Sequence, residues 1–178
     1  MLTVECTHKV PSKQLVLIRH AKSAYPIGVA DHERPLNARG VRDGTAVGRW
    51  LAQSGLLNLK ISVVLSSARR TQETWGLISG SGNHEIALTE PRLYEASQQT
   101  ILEVIRKTQL EVEALVVIAH NPGLENVASN IASNRESSSY LMLTEKYPTS
   151  GVAVFDVIEW STITDHSALL TEFSVPRG

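Results

Sequence analysis

Two hexapeptides, LVLIRH at residues 15–20 and LVVIAH at residues 115–120, decide how this chain folds. Each is an unbroken apolar run of strand length that ends in histidine, with no polar residue alternating through it. Such runs suit strands covered on both faces, as in a parallel sheet. Ile61 to Leu65 and Val152 to Phe155 are runs of the same kind. Helical patterns separate them. Asn37 is placed to cap a helix running through Ala46, Val47, Trp50 and Leu51 and stopping near Gly55. Arg70 to about Ser79 predicts a second helix, ending at the turn Gly80-Ser81-Gly82-Asn83. Gln98 to Gln109, with Ile101, Leu102 and Ile105 at helical spacing, predicts a third, and Gly123 to about Ser133 a fourth. Asn134 to Ser150, with three consecutive serines, reads as an exposed loop, and His166 to Val175 as an edge strand. Alternation of this kind predicts a three-layer α/β/α sandwich around a mostly parallel sheet, with right-handed crossovers.

Composition sets the outer bounds. The 178 residues fit one domain spanning 1–178, with residues 1–13 as a loosely ordered N-terminal extension. Seventeen Lys and Arg balance eighteen Asp and Glu, for a formal net charge of −1. That balance argues against a nucleic-acid partner, which needs an extended basic face. Cys6 is the only cysteine, so an intrachain disulfide and a Cys-rich zinc site are excluded. No apolar run approaches the ~20 residues of a membrane helix. The first fourteen residues carry Glu5, Lys9 and Lys13 and lack the apolar stretch of a signal peptide. A cytoplasmic, monomeric protein with no membrane association is the expectation.

The chemistry is expected at the strand ends. In open α/β sheets ligands bind beyond the carboxyl ends of the strands. If the two hexapeptides are neighbours, a spacing of about 4.8 Å brings His20 and His120 together. The Ile61 strand runs into Ser66-Ser67-Ala68-Arg69-Arg70, and Arg19 precedes His20. Two arginines opening a helix sit against its dipole, which calls for an explanation and weakens the reading of both as plain surface cations. Two histidines with two or three arginines suit a tetrahedral dianion. His8, His32, His84 and His166 fall in loop or tail contexts and read as solvated, while Trp50 and Trp75 read as packed on the sheet. No Walker or dinucleotide glycine loop and no HExxH motif is present.

Four motifs in order resemble those of the histidine phosphatase superfamily, which has the phosphoglycerate-mutase-like fold. LIRHAKS (17–23) resembles its Arg-His signature, followed by RPLNARG (34–40), a capped helix start. SSARRTQET (66–74) resembles its Ser-x-x-x-Arg-Ala-x-x-Thr motif, with Arg70 and Thr74 in register and Arg69 a variable neighbour. AHNPG (119–123) resembles the second-histidine motif, and PTSGVAVFDV (148–157) the small-residue turn and strand near the C-terminus. The RHAKS form is most similar to the SixA-like phosphohistidine phosphatase branch. The resemblance implies a cofactor- and metal-independent phosphatase acting on a phosphorylated protein or a small phosphorylated metabolite. His20 is then the nucleophile, forming a phosphohistidine. Arg19 and Arg70 hold the equatorial oxygens, and Ser23 donates a further hydrogen bond. His120, protonated when phosphate is bound, is a third cationic donor. Glu95, with Glu90 and Asp31 behind it, is the candidate proton donor. Lys22 stands where mutase-type members carry a glutamate, which argues against a sugar-phosphate mutase. A non-catalytic phosphate-binding module and a metal-dependent hydrolase are the alternative readings.

Overall fold

The two hexapeptides lie side by side and in register. In the computed structural model, which describes residues 12–80 and 87–178, β1 (Lys13–Arg19) pairs in parallel with β4 (Ala114–Ala119). Leu15 faces Leu115, and the pairing continues to Arg19 opposite Ala119. On the other side of β4 runs β2 (Ile61–Leu65), also parallel, with Leu65 opposite Ile118. The short β3 (Leu88–Thr89) extends that edge. Beyond β1 come β5 (Val152–Val157) and β6 (Leu169–Ser174), giving the order β3-β2-β4-β1-β5-β6. Among the described strands β5 alone runs against the others.

Unbroken apolar runs are what this placement requires. Leu15, Leu17, Leu115, Val117 and Phe155 face a cluster with α3 (Gln98–Arg106), α4 (Gly123–Ile131) and α5 (Ser138–Glu145). Val16, Ile18, Val116, Ile118 and Val154 face the opposite cluster with Val47 and Leu51 of α1 (Ala38–Gln53) and Ile78 of α2 (Arg69–Ser79). A strand apolar on only one side would leave one of these layers without a floor. Trp50 and Trp75 pack against the α1–α2 side of the sheet. Asn37 caps α1 by accepting from the Gly40 amide at 2.8 Å.

Three expectations change. Asn134 to Ser150 is not an open loop: Ser137 caps α5, Leu143 and Tyr147 are fully buried, and the serines mark a helix start. Serine competes for the backbone inside a helix but stabilises its first turn, so the same residues signal either state. Lys13, placed in the N-terminal extension by the sequence, belongs to β1. Residues 1–11 and 81–86, which include Cys6, His8, His84 and most of the Gly80–Asn83 turn, lie outside the described residues. Helix α3 ends at Arg106, three residues short of Gln109.

Candidate active site

Three adjacent strand ends assemble the site. One residue past the register of β1 and β4, the imidazoles of His20 and His120 face each other with ring centroids 4.9 Å apart. The end of β2 delivers Ser66, whose amide donates to the Ile118 carbonyl at 3.0 Å. From there the chain turns into α2, whose first turn carries Arg70. A pocket of about 100 Å³ opens among Arg19, His20, Lys22, Ser23, Tyr25, Arg34, Arg70 and Thr149. A larger hollow of about 410 Å³ lies elsewhere, between β3 and α3, but neither histidine reaches it. Chemistry follows the converging side chains rather than the larger volume.

The two imidazoles are held in opposite senses. A carbonyl only accepts, so the 2.7 Å contact of His20 Nδ1 with the Ala21 oxygen places the proton on Nδ1 and leaves the Nε2 lone pair free. His120 instead engages through Nε2, 2.9 Å from the Ser66 hydroxyl, and its buried Nδ1 has no protein partner. A hydroxyl both donates and accepts, so this contact suits a His120 proton on either ring nitrogen. Both rings are neutral in the free site. Burial, then the neighbouring His120, pushes His20 down to about 3, against the opposing pull of the Ala21 carbonyl. Burial, then Arg70, does the same to His120, also to about 3. The cationic His120 expected from the sequence therefore needs a bound anion to raise it.

Other residues of the motifs fix this geometry. Thr74 accepts from the Ala21 amide at 3.0 Å and donates to the Arg70 carbonyl at 2.6 Å, tying the residue after His20 to α2. Thr71 donates to the Ser66 carbonyl at 2.6 Å and so braces the turn after β2. Gly40 and Gly123 are needed for close approach. A Cβ on Gly40 would collide with the Lys22 carbonyl, and one on Gly123 with that of Ala96. Arg69 is the variable neighbour expected, facing outward in an ion pair with Glu73 at 2.6 Å.

Arg19 and Arg70 are anchored differently. Arg19 donates to the Tyr147 carbonyl at 2.7 Å, and its buried Nε has no protein acceptor. Arg70 donates to the backbone oxygen of Asp31 at 2.7 Å and to its carboxylate at 3.0 Å. Asp31 also takes Arg34 at 2.5 Å and the Tyr94 hydroxyl at 2.9 Å. Burial works against its charge, but the Tyr94, Arg34 and Arg70 contacts together hold the carboxyl down at about 2. Ser23 lines the pocket, buried, with its hydroxyl accepting from Arg34 at 2.6 Å. His32, expected to be solvated, instead meets the Ser67 hydroxyl at 2.9 Å and packs edge-on against Tyr94.

The carboxylates separate clearly. Glu95 is exposed, at a φ of 50°, one residue beyond Tyr94, whose ring lies 5.7 Å from that of His120. It makes no hydrogen bond to the two histidines or two arginines. Glu90 is engaged with Arg92 at 2.9 Å, away from the pocket. Asp31, Tyr147 and Arg34 are the participants that sequence reasoning did not single out for these roles. Tyr147 sat inside the presumed loop, and its one signal was an aromatic residue just before PTSG.

A histidine pair flanked by arginines at the carboxyl edge of such a sheet is chemically suited to a phosphoryl group. The chain belongs to the histidine phosphatase superfamily (branch 1), whose family model matches residues 15–121. An uncharacterized protein of Mycobacterium tuberculosis is 37% identical over 163 residues, covering 90% of this chain and 100% of that relative. A relative of known structure from Nakamurella multipartitia, described as a candidate phosphohistidine phosphatase SixA, superposes with a TM-score of 0.80. It is 26% identical, over 93% of this chain and 96% of that one. A protein of Agrobacterium tumefaciens with the same description superposes at 0.77, with 25% identity over 93% and 99% of the two chains. No described helix is long and apolar enough to cross a membrane.

Proposed function

We propose that this protein is a phosphatase working through a covalent phosphohistidine on His20, with a phosphorylated imidazole as the favoured substrate. One observation carries the reading: His20 presents a neutral, unprotonated Nε2 between two arginines. Arg19 and Arg70 receive the phosphoryl oxygens with charge-assisted hydrogen bonds. Nε2 then attacks phosphorus, a P–N bond forms, and the bond to the leaving group breaks with its electron pair going to that group. The proton stays on Nδ1, donated to the Ala21 carbonyl, and that hydrogen bond stabilises the positive imidazolium that forms. His120 donates Nδ1–H to an oxygen gaining charge in the transition state. Water attacks the phosphohistidine next, phosphate departs, and Nε2 regains its lone pair. Positioning and charge stabilisation are nearly all such a transfer needs.

Proton supply sorts the carboxylates. Asp31 is ionised and anchors Arg70, so it is no acid. Of the three acid candidates, Glu90 is held by Arg92 and Asp31 by Arg70, so Glu95 is assigned to deliver a proton to an alkoxide leaving group. A protonated imidazole leaves without that help, which fits the exposed and unattached position of Glu95. The alternatives of a small-molecule phosphomonoesterase and a non-catalytic phosphate-binding module are separated by one experiment. Radiolabelled substrate quenched in alkali should leave acid-labile label on the wild-type protein and none on His20→Ala. Full turnover by His20→Ala, or unlabelled wild-type protein during turnover, would overturn the mechanism.

A further inference from the structure

Resting on the phosphoryl-pocket reading above, the geometry points to a second anion subsite at the mouth of the pocket. It is formed by Lys22 beside Tyr25, and it selects substrates that carry another anionic group next to the phosphoryl.

Four cationic side chains line the pocket, and three of them have a carboxylate nearby. Arg34 and Arg70 share Asp31. Arg19 feels Glu125, which lies outside the pocket lining and accepts from Asn121 at 2.8 Å. Lys22 has no carboxylate partner among the described residues; its ammonium lies 5.6 Å from the centroid of the Tyr25 ring. Lys22 is also half-buried and held by its backbone, since its carbonyl accepts from the Asn37 amide at 2.9 Å and sits against Gly40. The ring it faces is fixed too: the Arg34 guanidinium stacks 3.4 Å from the Tyr25 centroid. A phosphoryl dianion answers the charges of Arg19 and Arg70 and leaves that of Lys22 unmatched. The pocket's 100 Å³ is well below the roughly 300–1,000 Å³ of a site that encloses a whole ligand. The leaving group must therefore lie at the mouth, where Lys22 and the exposed Tyr25 stand. A carboxylate or a second phosphate close to the scissile bond would meet the ammonium there.

Phosphonates test this without turnover. Binding of methylphosphonate, phosphonoacetate and methylenediphosphonate would be measured by calorimetry at low salt on wild type, Lys22→Met and Lys22→Arg. Wild type should bind at least one doubly functional ligand about tenfold tighter than methylphosphonate, and which one names a carboxylate or a phosphate. Lys22→Met should reduce that preference to about twofold, and Lys22→Arg should keep most of it. A wild-type preference below twofold, or one that survives Lys22→Met, overturns the subsite. A protein that shows the preference yet hydrolyses no phosphorylated compound refutes the phosphatase reading alone. Failure of all three ligands to bind overturns both.

Discussion

His20 and His120 end near-identical hexapeptides, paired in register on neighbouring strands, and yet they do opposite things. Each follows an apolar run, is almost completely buried, and is held neutral mainly by burial. The difference lies in the first hydrogen bond. A carbonyl holds His20 at Nδ1 and leaves the Nε2 lone pair free, whereas a hydroxyl holds His120 at Nε2 and leaves Nδ1 without a protein partner. Strand pattern therefore places a histidine, and its hydrogen-bond partner decides which ring nitrogen is left free.

His20→Ala breaks the asymmetry most severely, abolishing both turnover and the trapped phosphoenzyme. His120→Ala should cost about 10²–10³ in kcat, comparable to removing one oxyanion donor, while a label on His20 can still be trapped. A variant that lost all labelling would show that the two histidines share the nucleophilic role. Thr74→Val keeps the shape but leaves the Ala21 amide without its acceptor. We expect about 1–3 kcal/mol of lost stability from that buried donor, seen as a lower denaturant midpoint. A fall of about tenfold in kcat should accompany it, because the carbonyl that holds His20 is displaced. Ser66→Ala should leave labelling intact and slow turnover less than His120→Ala does.

A separate effect, on stability rather than turnover, comes with pH. Both imidazoles have folded pKa values of about 3, below their ordinary 6.5. As pH falls below 6.5 the unfolded chain takes up protons that the folded one refuses. Their contribution is therefore complete above 6.5 and is lost progressively down to about 3. The upper limit is about 1.4 kcal/mol per pH unit for each ring. Urea midpoints between pH 7.5 and 4.5 should fall more steeply for wild type than for the His20→Asn/His120→Asn double variant. Equal slopes would mean that the rings are not held neutral.

Much of the site was legible in the chain. His20, His120, Arg19 and Arg70 were readable because each sits at the end of a periodic element, and that position locates it against the sheet edge. Thr74 was readable as part of a motif, but its contact with the Ala21 amide was not. Asp31 was visible only as one carboxylate among several, and nothing local distinguishes it from Glu90 or Glu95. The serines before Tyr140 pointed to a loop because their capping role shows only once Leu143 and Tyr147 have a core to enter.

By itself the sequence determined the two-sided strands, the order of strands and helices, and the residues at their ends, because backbone periodicity and burial are local demands. Tertiary structure alone decided which nitrogen of each histidine is free, which carboxylate anchors Arg70, and which cation at the pocket is left without a partner. Apart from the His20–Ala21 contact, those contacts join residues 39 to 128 positions apart in the chain, as with Arg70 and Asp31 or Arg19 and Tyr147. No local pattern encodes them, since hydrogen bonds and ion pairs form only where folding has brought donor and acceptor within about 3 Å.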